Sequence, residues 1–192
     1  MSFSAFGYGV VILALLAVVV LAVVAVYNRL VALRRRCDQA SADISVQLKL
    51  RHDLVPTLVE TVKGYASHER TSLEAVIKAR AAAVAAPEGP AKAQAEGMLG
   101  QALGRLMMIA EAYPDLKASA NFTQLQTELS DIEHTIAAAR RFLNAATTEY
   151  NTTREQFPAN LVASTFAFEA RDVSAVPRET VMELEAAPAV RF

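Results

Sequence analysis

Phe122 to Tyr150 reads FTQLQTELSDIEHTIAAARRFLNAATTEY, and this stretch decides the fold. Phe122, Leu125, Leu129, Ile132, Ile136, Ala139, Leu143, Ala146 and Tyr150 recur at three, four, three, four without a break, the seam of a helix packed along another over about four heptads. Asn121 is a good N-cap, and Gln124 stands where a capping box has its polar partner. Phe157-Pro158 closes the run, so a helix from Phe122 to Glu155 would be about 50 Å long. A helix of that length needs a partner for its stripe.

The partner is upstream. Ile44, Leu48, Val55, Leu58 or Val59, Val62 and Tyr65, then Leu73, Val76 and Ile77, form a second apolar stripe, which predicts a helix from Ile44 to Arg80. Pro56 lies inside it. Proline removes the hydrogen bond to the carbonyl of His52 and disfavours helical geometry at Val55, so a kink or boundary is expected near residues 52 to 56. Arg51, His52 and Asp53 beside Pro56 gather polar side chains at that kink, and this cluster is a candidate partner surface.

Further back, Ala5 to Tyr27 offers 23 positions without a charge. As a helix it spans about 34 Å, enough to cross the hydrocarbon core. A cleavable signal peptide would carry a basic leader, and no Lys or Arg precedes Arg29. Arg29, Arg34, Arg35 and Arg36 follow the span at once, so the positive-inside rule predicts a single-pass protein with its N-terminus out and its helical part cytoplasmic, the periplasm being the alternative. The same arginines suit anionic headgroups. Leu30, Leu33, Cys37, Ala40 and Ile44 continue the spacing with no Pro or Gly between, so the membrane helix is expected to run on into the helical part.

Ala85 to Pro90, AAPEGP, is a loop. Beyond it Met98, Leu99, Leu103, Leu106, Met107 and Ala110 mark a helix from about Ala91 to Ala112 that stops before Tyr113-Pro114-Asp115. Its Gly97, Gly100 and Gly104 either weaken it or admit a close backbone neighbour. Ala159 to Phe168 suits a short final helix covering one end of the bundle. From Glu169 onward regularity fades, although Val190, Arg191 and Phe192 form a terminus able to dock. The expected organisation is an anchor over 1–28, a helical bundle over 29–168 and a tail over 169–192.

The bulk composition agrees. The 192 residues are 53% hydrophobic but 7% aromatic, with no Trp and seven Gly, the balance of an all-α chain. Nineteen basic against twenty acidic residues leave a formal charge of −1, with no general field for nucleic acid. One cysteine, Cys37, excludes an intrachain disulfide and a cysteine zinc cluster.

His52 and His68 are sixteen residues apart and would point about 160° apart even on one unbroken helix, and His68-Glu69 lacks the second histidine of a zinc helix. There is no nucleophile elbow and no phosphate loop. Lys49 with Asp53, Glu60 with Lys63, and Glu74 with Lys78 are helical pairs of a solvated face. No catalytic residue, metal ligand or cofactor site is expected.

Val46 to Glu69, VQLKLRHDLVPTLVETVKGYASHE, resembles the signature of the bacterial LemA family. Tyr113 to Asn121, YPDLKASAN, with Phe122, Leu125 and Gln126 resembles its second block, and Tyr150-Asn151 with Phe157-Pro158-Ala159-Asn160 its third. With Tyr27-Asn28-Arg29-Leu30-Val31 after the span, the resemblance covers nearly the whole chain. It implies a bundle of three to four long antiparallel helices anchored in the inner membrane, without enzymatic activity or cofactor. The expected role is a structural or scaffolding protein that self-associates, its partners being the lipid bilayer, further copies of itself and another membrane protein. The alternative is an adaptor or regulator of a membrane protease or signalling partner.

Overall fold

The computed structural model describes residues 2–172, with side chains from residue 7 onward. Those residues form six helices and no strand: α1 (Ser2–Tyr65), α2 (Arg70–Ala85), α3 (Pro90–Glu111), α4 (Pro114–Lys117), α5 (Ala120–Glu155) and α6 (Ala159–Thr165). The all-α expectation is met. Val190, Arg191 and Phe192 lie outside the described residues.

The 64 residues of α1 are one unbroken helix. The apolar N-terminal stretch therefore continues as helix past the arginines, as the uninterrupted stripe predicts. The expected boundary at residues 52 to 56 is absent, because the helix passes through Pro56 to Tyr65. Proline is tolerated there since its ring is exposed, and the His52 carbonyl that loses its usual donor receives the Nε–H of Arg80 at 2.6 Å.

The helix expected from Ile44 to Arg80 is instead two. Gly64 weakens the last turn of α1, and Ser67 and His68 occupy a turn that closes with Glu69 N–H donating to the Ala66 carbonyl at 3.1 Å. Helix α2 then restarts with Ser72 and Leu73 N–H groups on the Glu69 carbonyl, both at 3.1 Å. Ala66, fully buried, pins that turn.

Two compact units are distinguished among the described residues, 2–39 with 144–172 and 40–143. In the second, Val55, Leu58, Val59 and Val62 of α1 share one core with Leu73 and Val76 of α2, Leu99, Leu103 and Leu106 of α3, Leu116 of α4, and Phe122 and Leu129 of α5. Each such side chain contributes about 1.5–3 kcal/mol by leaving water. In the first, Leu30, Leu33 and Cys37 of α1, Ala146 and Tyr150 of α5, and Ala159, Val162 and Ala163 of α6 are buried.

Every seam position of α5 is buried or half-buried, so the heptad reading holds along its length. Its start differs by two residues: the helix begins at Ala120, with Thr123 N–H on the Ser119 carbonyl at 3.0 Å, and Asn121 is not the cap. Gln124 reaches forward to Glu128 at 2.9 Å and closes no capping box. In α3, Met98 faces water, and a Cβ added at Gly97, Gly100 or Gly104 would meet no atom within 4 Å. No close backbone neighbour accounts for these glycines, which simply cost the helix stability.

Candidate functional site

The most unusual chemistry of the 40–143 unit is charge inside its core. Arg51 and His52 fall three and four residues after Leu48 and four and three before Val55, so helical geometry turns them toward the apolar interior. Glu96 enters from α3, beside buried Ala95 and three residues before buried Leu99. The side chains of Arg51 and Glu96 are 4% and 1% exposed.

One guanidinium nitrogen of Arg51 bonds a Glu96 carboxylate oxygen, while its Nη1 donates to Glu133 Oε1 of α5 at 2.7 Å. His52 Nε2 lies 2.9 Å from Glu96 Oε1, yet off the angle of a hydrogen bond, and Lys92 Nζ approaches the same oxygen to 3.9 Å. Arg51, Lys92, Glu96 and Glu133 balance in charge. With Arg80 on the His52 carbonyl, this network ties α1, α2, α3 and α5 of the unit together at the level of Pro56.

A buried ion network is weak evidence for stability and better evidence for a fixed register. It offers no nucleophile paired with a base and no open position for substrate. Among the described residues no group of three or more His, Cys, Asp and Glu side chains is placed to hold a metal ion.

The expected partner surface at the Pro56 level is thereby corrected. Arg51 and His52 are buried and so unavailable to a docking partner, the Arg51 guanidinium being held by Glu96 and Glu133; Asp53 and Pro56 are exposed. Of the expected helical ion pairs, Glu60 with Lys63 closes at 3.5 Å. The gap in the apolar stripe between Leu48 and Val55 was the sequence signal for burial, but nothing local pointed to Glu96.

On the outside of the same unit α1 and α5 leave a groove. Leu50, Leu54, Leu125 and Ile132 floor it, and Asp53, Glu128 and Asp131 line its rim with no basic residue. It continues past Val46, Ala138, Ala139 and Phe142. Val46, Leu50 and Phe142 are 56%, 47% and 47% exposed.

In the other unit, residues 7–25 are exposed all round although nearly all apolar, as a lipid-facing helix requires. Of the arginines that follow, Arg34 is half-buried with its guanidinium 5.4 Å from the Phe168 ring centre, and Arg36 pairs with Glu149 at 3.3 Å. Arg29 and Arg35 are exposed, with no ion pair among the described residues.

The family model of the LemA family matches residues 40–192. The chain belongs to the LemA family. Within it, Protein LemA of Metamycoplasma hominis is 27% identical over 137 residues, 71% of this chain and 63% of that protein. Magnetosome protein MamQ of Magnetospirillum gryphiswaldense is 36% identical over 80 residues, 42% of this chain and 29% of its own length. Magnetosome protein MamQ 2 of Paramagnetospirillum magneticum is 37% identical over 75 residues, 39% of this chain and 28% of its own length. The matched stretch thus spans less than a third of each magnetosome protein. Family membership and the exposed apolar helix together make this LemA-family chain a membrane-associated helical protein.

Proposed function

We propose that this LemA-family chain is a membrane-anchored, non-enzymatic scaffold that self-associates through its helical part. The observation that carries the reading is the α1 and α5 groove, whose apolar floor has no partner among the described residues and whose charged rim residues are all acidic. Another copy supplies a matching surface: Ile77 and Val84 of α2 are 53% and 54% exposed, on the same helix as Arg70 and Lys78. Groove against α2 is a head-to-tail contact, which builds rings or open arrays rather than closed pairs.

In light scattering of the detergent-solubilised full chain, the wild type is expected to be oligomeric, and Leu50→Glu to weaken association by about tenfold or more, since a charge is buried among apolar atoms and beside like charge. A wild type that stays monomeric over a wide concentration range and resists crosslinking in membranes would remove the proposal.

The arginines after the span support a cytoplasmic helical part in the bacterial inner membrane. Cys37 is fully buried and so a poor topology reporter. Glu88→Cys, in the exposed loop before α3, is expected to react with a membrane-impermeant maleimide only after the cells are opened. Labelling of intact cells would instead place it in the periplasm. The acidic rim also favours a second reading, an adaptor holding a basic helix of another membrane protein; retention of one unrelated partner by a monomeric wild type, lost on Leu50→Glu, would select it.

A further inference from the structure

Helix α5 runs antiparallel to α1 beside the membrane exit: Cys37 meets Thr147, their Sγ and Oγ1 at 3.9 Å, and Arg36 meets Glu149. Each step onward along α5 is therefore a step back along α1, and Phe157, eight residues beyond Glu149, stands level with Asn28, eight before Arg36. The turn at Phe157-Pro158 and the whole of α6 start at the mouth of the membrane span. The rings confirm the level, since Tyr27 packs edge-on against Phe166 and Phe168 at 5.0 and 5.5 Å.

Helix α6 buries Ala159, Val162 and Ala163 and turns the rest outward. Phe157, Leu161 and Phe166 are 80%, 59% and 52% exposed, three large apolar side chains within a dozen residues. In water this would be an unexplained cost. Tyr27 ends the uncharged run, where aromatic residues mark the boundary between hydrocarbon and headgroups. The seven residues of α6 extend about 10 Å, and the interfacial layer is roughly 5–8 Å deep on each side. Arg29 and Arg35, exposed in the two turns of α1 that follow Tyr27, match anionic headgroups.

We infer that Phe157, Leu161 and Phe166 form an interfacial collar, a second lipid contact that enters the headgroup layer beside the span. The apolar patch is continuous through Tyr27 with the lipid-facing surface of residues 7–25, and that continuity selects a lipid surface as its occupant over a protein. The inference rests on reading those residues as the membrane span. The collar gives the chain two points of attachment and so restrains rotation and tilt of the span, which a lone helix would leave free.

The chain has no tryptophan, so single reporters are clean. Leu161→Trp and Phe166→Trp, each in the full chain reconstituted into phosphatidylcholine and phosphatidylglycerol vesicles, are tested with lipids carrying a quencher just below the headgroup. Emission is expected to fall about threefold relative to unlabelled vesicles, as for an interfacial tryptophan. Phe157→Trp repeats the measurement at a site whose exposure removes any concern for folding. Leu15→Trp reports the span, and Glu88→Trp a water-exposed loop. Collar reporters quenched no more than Glu88→Trp, with Leu15→Trp quenched by deep labels, overturn the collar and leave the span. A blue-shifted but unquenched collar means a second copy covers it, which also overturns the inference. Failure of Leu15→Trp to quench removes the span and the collar together.

Discussion

Glu96→Ala is expected to lower the unfolding free energy by about 3–5 kcal/mol, because it strands Arg51 in the core with half-exposed Glu133 and a long 3.5 Å contact to the backbone carbonyl of residue 96 to meet it. Arg51→Ala should cost a similar amount by leaving Glu96 beside His52 and Lys92 without its hydrogen-bonded partner. The intact cluster is itself costly. Arg51 Nε, His52 Nε2 and Glu96 Oε1 are buried without a well-formed hydrogen bond, and each such atom forgoes about 1–3 kcal/mol of solvation. Removing both charges together should therefore hurt less than removing one: Arg51→Met with Glu96→Leu is expected within about 1–2 kcal/mol of the wild type, since two apolar side chains fill the space and Glu133 turns to water. Urea denaturation followed by circular dichroism in detergent checks all three. A double variant as unstable as the single ones would mean that the cluster's geometry, not the stranded charge, sets the penalty. If the double variant is stable but associates differently, the cluster is serving register, because Arg51, Glu96 and Glu133 fix α1, α3 and α5 of the unit against one another.

The architecture was legible where one physical rule acted without competition. The α5 seam repeats on a single period for 29 residues, and every position of it is at least half-buried. The apolar N-terminal helix is equally plain, since an uncharged run of this length leaves the residues described there exposed all round as a lipid-facing helix would be. Legibility failed where rules compete. Pro56 argues locally for a break, but an arginine 24 residues later satisfies the freed carbonyl, and nothing in the sequence near Pro56 predicts that partner. The turn at Ala66–Glu69 is the converse case: the apolar spacing can be carried across it, and only buried Ala66 and the backbone bonds reveal the reversal. Arg51 and His52 were read as surface because charge is usually solvated, although their place in the stripe between Leu48 and Val55 argued the opposite. Their burial depends on Glu96, whose approach is a tertiary event. The collar is legible in part: Tyr27, Phe157, Leu161 and Phe166 are visible as apolar residues, but only the antiparallel register of α1 and α5 puts them at one level.

Tyr150→Ala is expected to cost about 3–5 kcal/mol, the range for truncating a fully buried aromatic ring, and to release the chain beyond α6. The ring fills the core of the 2–39 and 144–172 unit, while its hydroxyl donates to the Glu169 carbonyl at 2.8 Å. Next to it Asn151 Nδ2 donates to the Arg171 carbonyl at 2.8 Å and Oδ1 accepts from Arg171 N–H at 3.0 Å. Arg154 Nε adds a bond to the Phe168 carbonyl at 2.8 Å, and Arg171 pairs with Asp38 of α1 at 2.6 Å. Residues 168 to 171 thus form a strap held by backbone bonds that α5 supplies from three side chains within five positions. Tyr150→Phe keeps the ring and should lose only about 1 kcal/mol, and Asn151→Ala, which removes two bonds, about 2 kcal/mol. Trypsin reads the strap directly, because cleavage after Arg171 requires it to lift from α5 and from Asp38. The expected order of cleavage rate is Tyr150→Ala fastest, then Asn151→Ala, then Tyr150→Phe, then wild type. Equal rates for Tyr150→Ala and Tyr150→Phe would assign the strap's stability to the polar bonds alone and leave the ring without a role in holding it. The strap also seats Phe168 between Tyr27 and Arg34, so a released strap should loosen the collar: Phe166→Trp combined with Tyr150→Ala is expected to lose part of its lipid quenching, whereas Phe166→Trp with Tyr150→Phe keeps it.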